Sequence, residues 1–389
     1  MITVVGMDER GLGARASAAV RGAGLVVGAD RHLAAVEVPA DAATVAMGPV
    51  APAVEALRTH AGDAVVLASG DPGFFGVVRL LRASGLEPVV VPAASSVAML
   101  AARVGLPWDD VLVVSAHGRD PRAAVNACRA HPKVAVLTGP DLDPAQLARQ
   151  LGGWDRRLVV GECLGSPDEQ VREMSLAEAS ARSWADLSVV LSLAPRPASA
   201  MPWHAGATGP AGFALDDDAF EARAAMLTKA EVRALVLARL GPGLGDLVWD
   251  VGAGSGSVGV EAARFGAAVV AVDRDPEAVG LVRRNAERHG VQVRAVHGTA
   301  PAALDELPDP DLVFVGGGGA DVVRSCAARE PRRVVVTLAA PERIGEVRTA
   351  LAGYRVEGTV LQASRLRPLP DGTDRLAATN PVTVMWGSR

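Results

Sequence analysis

Short β-branched runs alternate with alanine- and arginine-rich stretches, and that alternation limits the fold more than any other feature of the chain. ITVVG (2–6), AVVLASG (64–70), EPVVVPA (87–93), VLVVSAHG (111–118), KVAVLTG (133–139), RLVVGE (157–162) and LSVVLSL (187–193) are separated in most cases by enough residues for a crossover helix. Strands so connected pair in parallel, so the pattern predicts βαβ units and a largely parallel sheet, an α/β protein. At 389 residues the chain is long enough for two such domains, each with its own core.

The rhythm breaks at PRPASAMPWHAGATGPAG, residues 195–212, where proline and glycine recur without any apolar period. We therefore expect a first domain over 1–195, a linker over 196–212 and a second domain over 213–389. Just beyond the linker, TKAE places Thr228 as an N-cap and Glu231 three residues on, the spacing of a capping box. Strands are then expected near 247–251, 268–272, 291–296, 311–315 and 333–338, with helices over 256–265 and 276–289. The last two strands, near 354–362 and 380–387, have no helix between them, which predicts a closing antiparallel hairpin.

Composition removes several functions. The net charge is −5 with no long basic block, so nucleic acid is not the expected partner, although the many arginines can hold an anionic small molecule. Cys128, Cys163 and Cys326 lie far apart without a C-x-x-C, which argues against a disulfide framework and against a zinc site; no metal is expected. MITVVG opens directly on a strand and no apolar run approaches a membrane span, so the expectation is a cytoplasmic protein.

The stretch LVWDVGAGSGSVGVEAA, 247–263, carries glycines at 252, 254 and 256 straight after a strand. Such glycines let the backbone turn into a helix whose first amides lie close to a ligand. A dinucleotide fingerprint reads G-x-G-x-x-G; here Gly256 comes one residue early and Ser257 stands at the required position. Asp250 precedes the loop, and Asp273 ends the next strand, where an acid can accept hydrogen bonds from ribose hydroxyls in NAD and S-adenosylmethionine sites alike. The loop suits an adenosine ligand without a pyrophosphate. The competing reading is that these glycines only pack a helix on a sheet.

LTKAEVRALVLARL, LVWDVGAGSGSVGVEAAR, VDRDPEAVGLVRRNAERHG, GTAPAAL and DLVFVGGGG together resemble the CbiT-type methyltransferases of precorrins. VVGMDERGLG, ASGDPGFFG, PAASSVAMLAARVGLPWDD and SAHGR resemble the CbiE-type tetrapyrrole methylases. With motifs in matching order over nearly the whole chain, the sequence resembles the family in which the two are fused, the decarboxylating C5,15-methyltransferases of cobalamin biosynthesis. The resemblance implies a tetrapyrrole-methylase fold of two α/β subdomains, then a Rossmann-like class I methyltransferase domain. It also implies two S-adenosyl-L-methionine sites per chain, a polycarboxylated tetrapyrrole substrate and a homo-oligomer.

Residue by residue, the resemblance places the second cofactor site on Gly252, Ala253, Gly254, Ser255, Gly256 and Asp273, with Thr228 at a helix start and Gly298 to Ala300 beside the adenine. Related sequences often carry an acid where this chain has Thr299, which leaves backbone contacts to the adenine. The first site falls on Gly70, Asp71 and Pro72 and on Ser95 and Ser96, although Asp71 before Pro72 and serine before an apolar helix are also ordinary caps. Where the family commonly has G-x-G-P-G, this chain opens GMDERGLG, which puts Asp8, Glu9 and Arg10 at the first cleft. Catalytic candidates are Glu261, which matches an acidic position of the family, and His117, whose plainer use is a structural hydrogen bond. Arg119, Arg365, Arg367 and Arg375 are candidates for the substrate's carboxylates, since guanidinium pairs with carboxylate in bidentate fashion. A methyltransferase acting on another substrate and a non-catalytic tandem nucleotide sensor remain the alternatives.

Overall fold

A computed structural model describes residues 1–8, 11–48, 50–195, 209–210, 212–223 and 227–389. Most of the expected linker, Glu9 and Arg10 lie outside the described residues.

The N-terminal half is built on two five-stranded sheets. The first comprises β1 (Ile2–Met7), β2 (Leu25–Gly28), β3 (Ala43–Ala46), β4 (Ala64–Ser69) and β5 (Val89–Val91) in the order β3-β2-β4-β1-β5. All its pairings are parallel. Both faces are covered by helices, which is why Val4, Val5, Val65 and Val66 are all fully buried and the strands read as continuous apolar runs rather than alternating ones.

The second sheet departs from the parallel expectation. It comprises β6 (Leu112–Ser115), β7 (Lys133–Leu137), β8 (Arg157–Glu162), β9 (Gln170–Ser175) and β10 (Ser188–Leu193) in the order β6-β7-β10-β8-β9. Only β6 and β7 run parallel; β10 is antiparallel to both of its neighbours, and β8 to β9. The cause is connection length: the link from β8 to β9 is too short to hold a crossover helix. β2, β3 and β9 were not legible as strands, being short or, as in β3 and β9, largely exposed.

The C-terminal half carries one seven-stranded sheet. β11 (Leu247–Val251), β12 (Ala268–Asp273), β13 (Arg294–His297), β14 (Leu312–Val315) and β15 (Arg333–Leu338) pair in parallel. β16 (Arg355–Leu361) follows, then a separate two-stranded hairpin of β17 (Ser364–Pro368) and β18 (Asp374–Ala378), then β19 (Val382–Ser388). β19 returns antiparallel between β15 and β16, giving the order β13-β12-β11-β14-β15-β19-β16. The closing antiparallel pair is thus present, with the β17–β18 hairpin inserted into its connection. From β11 the chain winds first to β12 and later to β14 on the other side, so the strand order reverses beside β11. In open α/β sheets ligands bind at the carboxyl ends of the strands where this reversal occurs.

Candidate active site

A cleft of about 640 Å³ opens at that reversal. The end of β11 supplies Gly252, Ala253 and Gly254, the end of β12 supplies Asp273, and the loop after β13 supplies Gly298, Thr299 and Ala300. Thr228 and Lys229 border it from the segment that leads into the helix Ala230–Leu240. The sequence expectations thus converge on one space; Ser255 and Gly256 fall behind it. Ser255 is buried, its carbonyl accepting from Asn285 Nδ2 at 2.8 Å, and Gly256 seats the following helix.

The glycine loop is held in left-handed backbone at all three positions, with φ of 71°, 56° and 73° at Gly252, Gly254 and Gly256. Other residues adopt that region rarely. A Cβ on Gly252 would stand 3.0 Å from the Gly317 amide nitrogen, and one on Gly256 2.8 Å from Val282 Cγ2. The alternation therefore serves packing as well as approach, and the two readings of the loop describe different glycines.

Asp273 fixes the loop from the neighbouring strand. One carboxylate oxygen accepts from the Gly254 amide at 2.8 Å and the other from Asp275 at 2.9 Å. A carboxylate has about four acceptor positions, so two remain for a diol. Left-handed glycines, an acid with spare acceptors and a cleft in the size range of small-molecule sites fit an adenosine-bearing cofactor. Beneath them Asp250 is fully buried; one oxygen accepts from the Gly259 amide at 2.8 Å and the other has no partner among the described residues. Burial, against the opposing Gly259 bond and reinforced by the Asp273 charge, pushes its carboxyl up to about 7.

Several expectations are corrected here. TKAE forms no capping box: the helix starts at Ala230 after Lys229, and Asp217 Oδ1 accepts the Ala230 amide at 3.0 Å. Glu231 is drawn off by Arg365, whose guanidinium makes bonds of 2.7 and 2.6 Å to it and a third, of 2.7 Å, to Asp217. That commitment also removes Arg365 as a free receptor for substrate carboxylates. Arg367 and Arg375 lie directly opposite one another on the exposed β17–β18 hairpin, away from the cleft lining.

Glu261 is likewise committed to structural bonds. It is fully buried on the helix Ser257–Arg264 and accepts from the Ala214 and Leu215 amides at 2.6 and 3.0 Å and from Arg233 Nε at 2.6 Å. Arg233, also fully buried, continues to the Thr228 carbonyl at 2.5 Å and to the Leu215 carbonyl. The pair ties the segment entering the domain to the helix that follows the glycine loop.

In the N-terminal half, the carboxyl ends of β1, β4 and β5 meet. The Gly70 amide donates to the Met7 carbonyl at 2.8 Å, Asp8 Oδ2 accepts from Ala94 at 3.3 Å, and a Cβ on Gly6 would lie 2.7 Å from the Ala93 amide nitrogen. Neither Asp71 nor Pro72 starts a helix: Asp71 Oδ1 accepts from Gly73 at 2.8 Å in a local turn, and the helix begins at Val77 after Gly76. Ser95 is a cap, accepting from Ala98 at 3.1 Å, and Ser96 opens that helix. Phe75, which the sequence places in GFFG without singling it out, holds φ of 52° and turns its ring toward Arg119, whose guanidinium lies 5.9 Å from the centroid. His117, two residues earlier, is exposed.

Fold and cleft define a two-domain methyltransferase in which a tetrapyrrole-methylase half precedes a Rossmann-like half. The tetrapyrrole (corrin/porphyrin) methylases match residues 1–180, and the precorrin methyltransferase domain matches 218–385. A precorrin-6Y C(5,15)-methyltransferase [decarboxylating] of Sinorhizobium sp is 36% identical over 337 residues, covering 82% of this chain and 79% of that one. A probable cobalt-precorrin-6B C(15)-methyltransferase (decarboxylating) of Pyrobaculum calidifontis is 43% identical over 150 residues, 34% of this chain and 77% of its own. A cobalt-precorrin-7 C(5)-methyltransferase of Salmonella typhimurium is 33% identical over 194 residues, 46% of this chain and 94% of its own. The chain belongs to the precorrin-6Y C(5,15)-methyltransferase (decarboxylating) family. Membership implies S-adenosylmethionine as the methyl donor.

Proposed function

We propose that the protein methylates precorrin-6Y at carbons 5 and 15 and removes carbon dioxide from its ring C acetate, in cobalamin biosynthesis. The observation that carries this reading is the cleft at the strand-order reversal, lined by Gly252 to Gly254 and Asp273, in a chain of this family. Bound there, the cofactor supplies an electrophilic methyl group. Gly252, Ala253 and Gly254 would face it with backbone, Asp273 would take its ribose hydroxyls, and Gly298 to Ala300 would border its base. A carbon nucleophile of an electron-rich ring needs little proton transfer, so the protein's work is alignment and exclusion of water.

We assign a second cofactor site to the N-terminal half, around Gly70, Ser96 and the Phe75–Arg119 pair, giving two per chain. Supporting this division, relatives named for C(15) methylation with decarboxylation and for C(5) methylation exist as separate chains, each matching less than half of this one. By that analogy the C-terminal half methylates carbon 15 and decarboxylates, and the N-terminal half methylates carbon 5. We read the enzyme as a cytoplasmic homo-oligomer that takes no nucleic acid; among the described residues no helix is long and apolar enough to cross a membrane. Incubation of the full chain with precorrin-6Y and methyl-labelled cofactor tests the reading: the product should carry two labelled methyl groups and lack one carboxyl. A tetrapyrrole recovered unchanged would overturn it.

A further inference from the structure

A second cavity, of about 340 Å³, adjoins the cofactor cleft and shares Gly316 to Gly318 and Thr337 to Ala339 with it. We propose that this cavity seats a carboxylate-bearing arm of the tetrapyrrole and that Arg343 pairs with the carboxylate. The inference rests on the proposed function and adds to it the place and the residue that hold the substrate.

Three observations converge. First, Val323, Val336 and Val347 supply apolar wall, glycine backbone and Thr337 supply the polar part, and Arg343 is the one charged residue lining it among the described residues. Second, the Arg343 guanidinium makes no hydrogen bond or ion pair with a described residue, only its backbone amide being bonded, to the Ala340 carbonyl; the Arg365 guanidinium, by contrast, is spent on Glu231 and Asp217. Arg343 is exposed at the rim of the cavity, where its planar fork can pair in bidentate fashion with a carboxylate that enters from solvent. Third, half of the residues shared by the two spaces are glycines, Gly316 to Gly318. A Cβ on Gly317, which lines both spaces, would meet nothing within 4 Å, so no side chain separates cleft from cavity at that point. An arm anchored in the cavity leaves the ring edge at the boundary with the cleft, where the methyl acceptor has to be.

The test uses the full-length protein and two variants. Arg343→Ala should raise the KM for precorrin-6Y in decarboxylation by roughly ten- to a hundredfold, the range expected for losing charge-assisted bonds. Arg343→Lys should recover part of that loss. Ala340 lines this cavity and not the cofactor cleft, in extended backbone, so Ala340→Phe should narrow the space and raise KM in the same way. Binding is followed separately, through the visible absorption of the tetrapyrrole and through calorimetry with S-adenosylhomocysteine, whose affinity should stay unchanged in every variant. Unaltered KM and tetrapyrrole affinity in both Arg343→Ala and Ala340→Phe would overturn the assignment. So would a loss of S-adenosylhomocysteine binding equal to that of substrate, which would give Arg343 to the cofactor. A wild-type protein that binds S-adenosylhomocysteine but neither binds nor converts precorrin-6Y would instead sink the proposed function, and this inference with it.

Discussion

The guanidinium of Arg294, on β13 of the C-terminal half, lies 4.9 Å from the ring centroid of Trp154, a residue of the N-terminal half. Trp154 is 8% exposed and clusters with the buried side chains of the C-terminal core, with Arg129 stacked at 4.4 Å. Around it Asn126 Nδ2 reaches the Gly245 carbonyl at 3.0 Å and Arg122 pairs with Asp311 at 3.1 Å. The two halves therefore share packing that a proline-rich linker does not reveal. A fragment beginning at Gly212, which the sequence alone predicts to fold independently, loses this cover. We expect it to bind S-adenosylhomocysteine but to melt below the C-terminal transition of the full chain. Trp154→Ala in the full chain should cost about 3 kcal/mol in denaturant titrations, the scale of a buried aromatic truncation, with cofactor affinity retained.

Asp273→Ala should abolish one cofactor site and spare the other. The loss of two ribose bonds to a carboxylate amounts to roughly 2 to 4 kcal/mol. Release of the Gly254 and Asp275 amides, which Asp273 now holds, adds to it. Calorimetry of the full chain with S-adenosylhomocysteine should give a stoichiometry near two for wild type and near one for the variant. A stoichiometry of one for wild type would refute the second site.

Glu261→Gln separates structural from catalytic use. The change leaves Arg233 as an unpaired charge at 0% exposure, and breaking a buried pair in this way costs roughly 3 to 5 kcal/mol. We expect a clear fall in thermal midpoint, with kcat unchanged at temperatures where the variant stays folded. A collapse of kcat in a stable variant would restore the catalytic role that its position in the sequence suggested.

Much of the C-terminal site was legible because its chemistry is local. The glycine loop, Asp273 and the Gly298 to Ala300 loop each sit at the end of a strand readable from β-branched runs, and parallel pairing carries those ends to one edge. What misled were side chains whose partners are remote in sequence. Glu231 fits a capping box by spacing, yet Arg365, 134 residues on, outcompetes the helix terminus for it. Glu261 and Arg365 looked available for ligands because the partners that hold them most closely, Arg233 for the one and Glu231 and Asp217 for the other, are remote in sequence. Arg343 drew no notice in a chain rich in arginine; only the cavity singles it out. The antiparallel second sheet escaped because the exposed strand β9 was not legible, which hid the short β8–β9 link that reverses the chain.

The last prediction concerns Asp250, whose carboxyl titrates at about 7 because it is buried, with the Asp273 charge adding to the shift. An unfolded aspartate releases its proton near pH 4. Between those values the native state holds a proton that the unfolded state does not, so stability falls as pH rises through this window. The fall approaches about 1.4 kcal/mol per pH unit for this group alone and ends above pH 7, where both states are ionised. Asp250→Asn keeps an oxygen to accept the Gly259 amide and removes the titration. Denaturant titrations of the two proteins should therefore nearly coincide at pH 4, diverge as pH rises, and show the variant more stable at pH 8. Parallel profiles across that range would mean that the buried oxygen finds compensation in the native protein and that Asp250 ionises at its ordinary value.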